Sequence, residues 1–103
     1  MFLSCEPLVE EITLAQWLQL HQINWVICGG YSGTQHRPME LSWARRLRDE
    51  CRQDDIAFFM KQLGSVYAKD HRLHDWKGEE LSEFPEDLQI QEFPCTLREG
   101  IDT

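Results

Sequence analysis

The sequence predicts an α/β protein: three parallel strands with two crossover helices, followed by an acidic, mostly irregular C-terminal appendage. Three observations predict it. Residues 2–5, 24–28 and 56–60 are short, near-continuous apolar runs of strand length, the form taken by parallel strands buried on both faces. The segments between them carry apolar residues at spacings of three and four, which marks amphipathic helices. Strand, helix, strand, helix, strand is the order of parallel βαβ units, whose crossovers are right-handed.

The first run, Phe2-Leu3-Ser4-Cys5, ends at Glu6-Pro7, because proline cannot join a central ladder and its predecessor avoids helix. Thr13-Leu14-Ala15-Gln16 is a capping-box pattern, a Thr cap with Gln three residues on. Leu14, Trp17, Leu18 and His21 then fall on one helical face. The second run, Asn24-Trp25-Val26-Ile27-Cys28, stops at Gly29-Gly30, and Tyr31 to Met39, with Gly33 and Pro38, reads as a loop. A second helix is expected from about Glu40 to Gln53, with Leu41, Ala44, Leu47 and Cys51 as its stripe and Arg45, Arg46, Arg48 and Arg52 beside it. Glu40 suits the positive end of the helix dipole, whereas Asp49 and Glu50 sit at the wrong end. The third run, Ile56-Ala57-Phe58-Phe59-Met60, leads into Lys61-Gln62-Leu63-Gly64.

The character changes after Gly64, so residues 1–64 form the α/β unit and residues 65–103 the appendage. The 103-residue chain has a formal net charge of −8, and residues 65–103 carry −6 of it, with ten acids against four bases. Strand and helix signals there are weak; residues 75–80 suit a hairpin turn, and Phe84-Pro85 and Phe93-Pro94 suit extended pieces. Part of the last ~10 residues is expected to be disordered.

Composition excludes several function classes. An acidic chain without clustered Lys and Arg lacks the electrostatic basis for binding nucleic acid or an anionic membrane. No apolar run approaches the ~20 residues that span a bilayer, and the N-terminus has no basic residue to open a secretory signal. Cys5, Cys28, Cys51 and Cys95 contain no C-x-x-C pair, so a zinc or iron–sulfur motif is absent and reduced thiols in a cytoplasmic protein are expected.

Several separated segments agree in order with one family: F-L-S-x-E-P-L from Phe2, W-V-I-x-G-G-x-S-G from Trp25, R-P-M from Arg37, R-x-L-R-D-x-C from Arg45, and F-F-x-K-Q-x-G from Phe58. A later G-x-x-x-x-E-x-P piece holds Gly78, Glu83 and Pro85. From Phe2 to Pro85 the chain resembles the phage gene-product thirty-seven/sixty-eight-like family of unknown function. Longer members look like radical S-adenosylmethionine proteins, with a C-x-x-x-C-x-x-C cluster motif, and this chain resembles only their C-terminal part. The resemblance implies a fragment of a (β/α) barrel. With no cysteine triplet, it implies no cofactor in this chain, and S-adenosylmethionine only together with a partner. Tyr31 and Leu63 depart from the Glu and Trp usual in the family, which removes a carboxylate from the glycine loop and a ring beside the third strand.

In parallel α/β folds ligands bind at the carboxyl ends of the strands. The expected rim therefore comprises Glu6, then Gly29, Gly30, Ser32 and Gly33 with His36 and Arg37, then Lys61 and Gln62. Arg37 is suited to a carboxylate or phosphate, and Glu6 and Lys61 to a charged ligand or to each other. The glycines suit a tight loop better than a phosphate cradle, because no helix starts on them. His71 and His74, at i and i+3, are a metal candidate only if helical. No catalytic residue is expected. Three parallel strands cannot close into a barrel, so their edges need cover: the tail folded back, a second copy in a homo-oligomer, or a missing N-terminal barrel fragment.

Overall fold

The computed structural model describes residues 2–15, 23–35 and 37–94. One parallel sheet, in the order β1-β2-β3, is formed by β1 (Phe2–Cys5), β2 (Trp25–Gly29) and β3 (Ala57–Gln62). Helix α1 (Leu41–Gln53) joins β2 to β3. The helix expected between β1 and β2 falls mostly on residues 16–22, outside the described residues.

The register places Leu3, Val26 and Phe58 side by side, and then Cys5, Cys28 and Met60. Side chains alternate along a strand, so these six share one face. That face is the core side: Val26, Cys28, Phe58 and Met60 are almost fully buried. Helix α1 packs on β2 and β3 and buries Ala44, Leu47 and Cys51, three of the four stripe residues read from the sequence. It closes with Asp55 in the left-handed region (φ 56°) and the Ile56 amide donating to Cys51 O at 2.8 Å, the reversal glycine more often makes.

Up to residue 94 the appendage is mostly irregular, as expected, but it is packed against the sheet. Helix α2 (Ser65–Asp70), which no sequence signal marked, follows Gly64 directly. Two 3-10 turns follow at Leu81–Glu83 and Glu86–Leu88. Phe84 and Leu88 are buried in the same core as the sheet. The acidic residues act as anchors: Asp87 accepts from Arg45 Nε at 2.8 Å and pairs with Arg48, so the arginines flanking the α1 stripe hold the tail. At residues 75–80 the chain makes an Asx turn, in which the Asp75 carboxylate accepts from the Lys77 and Glu79 amides. Glu83 clamps the same loop by accepting from the His74 and Asp75 amides. Glu83 and Gly78 (φ 70°) are two residues of the G-x-x-x-x-E-x-P piece.

The end of the described tail covers one edge of the sheet. Gln91 pairs antiparallel with Phe59 as a single bridge. The Met60 amide donates to Ile90 O at 2.8 Å and the Glu92 amide to Phe58 O at 3.0 Å. Among the described residues no comparable segment bonds to the outer edge of β1. Among them, too, no helix is long and apolar enough to cross a membrane.

Candidate functional site

Opposite the core, the sheet has a face that the described residues leave open. Alternation places Phe2, Trp25 and Ala57 there, then Ser4, Ile27 and Phe59. Trp25 is its centre, with ring centroids 6.0 Å from Phe2, 6.3 Å from Phe59 and 5.5 Å from Phe93 of the tail. Its indole N–H donates to Glu92 O at 2.9 Å, so the same tail segment caps the edge of β3 and borders this face. Phe2 and Phe93 remain exposed.

At the carboxyl end of this face Lys61 Nζ donates to Glu6 Oε2 at 2.8 Å. Lys61 lies on β3 and Glu6 directly follows β1, so the pair reaches across the end of β2, which lies between them. Gly29 leaves room for it: a Cβ there would lie 3.3 Å from Glu6 Cγ and 3.1 Å from Gln62 Cγ. The Lys61 ammonium is held above its ordinary pKa, first by this hydrogen bond and then by the charges of Glu6 and Glu79. Ser4, Glu6, Trp25, Ile27, Phe59, Lys61, Glu79, Gln91 and Phe93 line a hollow of about 520 Å³, within the ~300–1,000 Å³ usual for small-molecule sites.

The expected rim is thus only partly assembled. Glu6 and Lys61 meet in the hollow. Gln62 is almost fully buried and donates its side-chain amide to Gly30 O. Gly30 serves backbone packing, since a Cβ there would lie 2.4 Å from Leu63 O. Gly29 O accepts from the Leu8 amide, and Gly33 O from the Ser65 hydroxyl. Arg37 lies over the Tyr31 ring, 5.2 Å from its centroid, and bonds Gln35, so it is not part of the hollow. Ser32 is half-buried and also lines no part of it. His36 lies outside the described residues.

His71 stacks on Tyr67 with centroids 3.8 Å apart. Helix α2 ends at Asp70, so His71 and His74 do not share a helical face. Among the described residues no three His, Cys, Asp or Glu are grouped to hold a metal. Cys5, Cys28 and Cys51 are free and buried. Burial pushes the thiols of Cys5 and Cys51 up to about 11 and about 12, and that of Cys28 higher still, which makes them poor nucleophiles.

The sequence reading missed the aromatic wall of the hollow. Trp25, Ile27 and Phe59 alternate with the core residues Val26, Cys28 and Phe58, but no polar residue in either run marks the second face. The contributions of Gln91 and Phe93 depend on the tail's path, which no local pattern encodes.

One packed face, one face left open by the described residues and a charged pair at the strand ends define a small parallel α/β protein. The chain belongs to a family described as protein of unknown function (DUF5131), whose model matches residues 1–91. No curated protein matches the chain, and no solved structure does.

Proposed function

We propose that this chain is a binding unit without catalysis of its own, part of a (β/α) barrel that further strands complete at the edge of β1. One observation carries the reading: the two sheet edges are treated differently. The edge of β3 is taken by residues 90–92. The edge of β1 is Phe2-Leu3-Ser4-Cys5, with no charge, no proline and no described cover. Solitary proteins protect such edges. A parallel strand added there would extend the face that carries Phe2 and Trp25, the face an open barrel turns inward, with β3 keeping its strap. The motif resemblance supports a phage-associated setting, and the free buried thiols support a reducing, cytoplasmic one.

The DNA directly upstream of the Met1 codon tests this reading. A neighbouring segment that encodes further βα units with a C-x-x-x-C-x-x-C motif, and whose product co-purifies with this chain, is the expected result. Unrelated upstream sequence, together with a monodisperse monomer in light scattering, overturns it. Homodimerisation lost in Ser4→Lys would instead assign the edge to a second copy.

A second reading is favoured by the meeting of Glu6 and Lys61 where parallel strands end. In it the chain is one subunit of a split radical-type enzyme and contributes a ligand rim, with S-adenosylmethionine bound only in the assembled pair. Calorimetric titration of the assembled pair that shows no heat overturns this second reading.

A further inference from the structure

We propose that the hollow on the open face binds a small zwitterion, an α-amino acid with an apolar or aromatic side chain; this deepens, and rests on, the reading of Glu6 and Lys61 as a ligand rim. The hollow is divided chemically. One part is Trp25, Ile27, Phe59 and Phe93, a wall for an apolar body. The other part holds Glu6, Lys61 and Glu79, with formal charges that leave one net negative.

That balance decides the ligand class. A simple carboxylate on Lys61 would be a third carboxylate beside Glu6 and Glu79, and a simple cation on Glu6 would sit beside the Lys61 ammonium. A zwitterion gives each a counter-charge, with its carboxylate on Lys61 and its ammonium on Glu6. The pair has capacity for this. Lys61 Nζ has three donors and one described acceptor, and Glu6 Oε1 has no described hydrogen bond. Their side chains are 48 % and 24 % exposed, so a ligand reaches both. An α-amino acid carries its ammonium and carboxylate on one carbon, so the two groups can lie side by side along the Glu6–Lys61 pair, each facing its counter-charge. Its side chain then lies along the Trp25 and Phe59 wall, where aromatic contact adds to burial.

The test is an amide NMR titration of the full chain with three probes of one shape: L-phenylalanine, phenethylamine and 3-phenylpropionate. L-Phenylalanine is expected to shift the amides of Ser4, Glu6, Phe59 and Lys61. Each single-charge analogue is expected to bind at least about tenfold more weakly, the equivalent of one lost charge contact. In Lys61→Met, checked for an unchanged amide spectrum elsewhere, the preference for L-phenylalanine over phenethylamine should vanish. If an analogue binds as well as L-phenylalanine, the zwitterion assignment is overturned and the rim stands. If none of the three probes moves these amides, the amino-acid proposal is overturned, while the rim reading is decided by the titration of the assembled pair.

Discussion

Glu50, in the last turns of α1, accepts a 2.8 Å hydrogen bond from the Thr13 hydroxyl with the same oxygen that accepts the Leu14 amide at 2.8 Å. Its other oxygen lies 3.6 Å from Arg46 Nε. A carboxylate badly placed for its own helix dipole thus anchors the chain after β1, and Leu14 beside it is fully buried. Glu50→Ala removes the acceptor of both donors and should cost about 1–3 kcal/mol in urea unfolding. Thr13→Ala, which spares the Leu14 bond, should cost less. Equal costs would mean that the hydroxyl carries the whole contact.

Gly30→Ala should destabilise the fold by about 1–3 kcal/mol, since overpacking forces a backbone shift. The added Cβ would meet Leu63 O at 2.4 Å, a backbone atom that cannot rotate away. The three atoms nearest a Cβ at Gly29 all belong to side chains, the nearest at 3.1 Å, so Gly29→Ala should be milder. Thermal melts of the two variants check the order.

Leu47→Ala empties a fully buried position on α1 against the sheet and should cost about 2–5 kcal/mol. Phe93→Ala removes an exposed ring that touches Trp25 and Phe59, so its cost should be well below that of Leu47→Ala. A loss of similar size would show that the open face is as tightly packed as the core.

Stability should be highest between about pH 4 and pH 9. Hydrogen bonding to Arg45, then to Arg48, holds the Asp87 carboxyl down at about 2, against an ordinary 3.8. A depressed carboxyl stabilises the fold above its unfolded pKa, and that contribution is lost as pH falls towards 2. Asp87 is half-exposed, so the loss should be no more than about 1 kcal/mol. The buried thiols act at the other end. Raised from 9.0 to about 11 and about 12 by burial, Cys5 and Cys51 favour the fold below pH 9, and this is lost as pH rises through those values. Melting midpoints from pH 2 to pH 11 should decline on both sides. In a Cys95→Ser background, native protein at pH 8 should react with a thiol reagent only as fast as it opens.

Deleting residues 90–103 should convert the protein into larger species in light scattering at concentrations where the full chain is not aggregated. Residues 90–92 supply the backbone partners of Phe58 and Met60, and their loss bares the edge of β3. A shortened chain of unchanged size would mean that this edge is protected in another way.

The strands and α1 were legible because their signals are local: apolar runs ended by Glu6-Pro7, Gly29-Gly30 and Gly64, and a stripe that buries Ala44, Leu47 and Cys51. Strand ends were off by one or two residues, since Gly29, Lys61 and Gln62 continue the ladder past the apolar runs. Helix α2 was illegible because six residues carry too little periodicity to register. Of the expected rim, Glu6 and Lys61 were found because both directly follow apolar runs. Arg37 was misplaced relative to them because a loop's path over Tyr31 is set by tertiary contact.

The strap along β3 also sets a stoichiometry. Open-ended stacking of sheets needs two receptive edges on every copy, one to give and one to accept. Residues 90–92 occupy one of them. Association of copies of this chain through strand pairing therefore ends at a pair joined at β1. The tail acts as a chain terminator: it permits a pair and forbids a filament, although the exposed aromatic face would otherwise favour one.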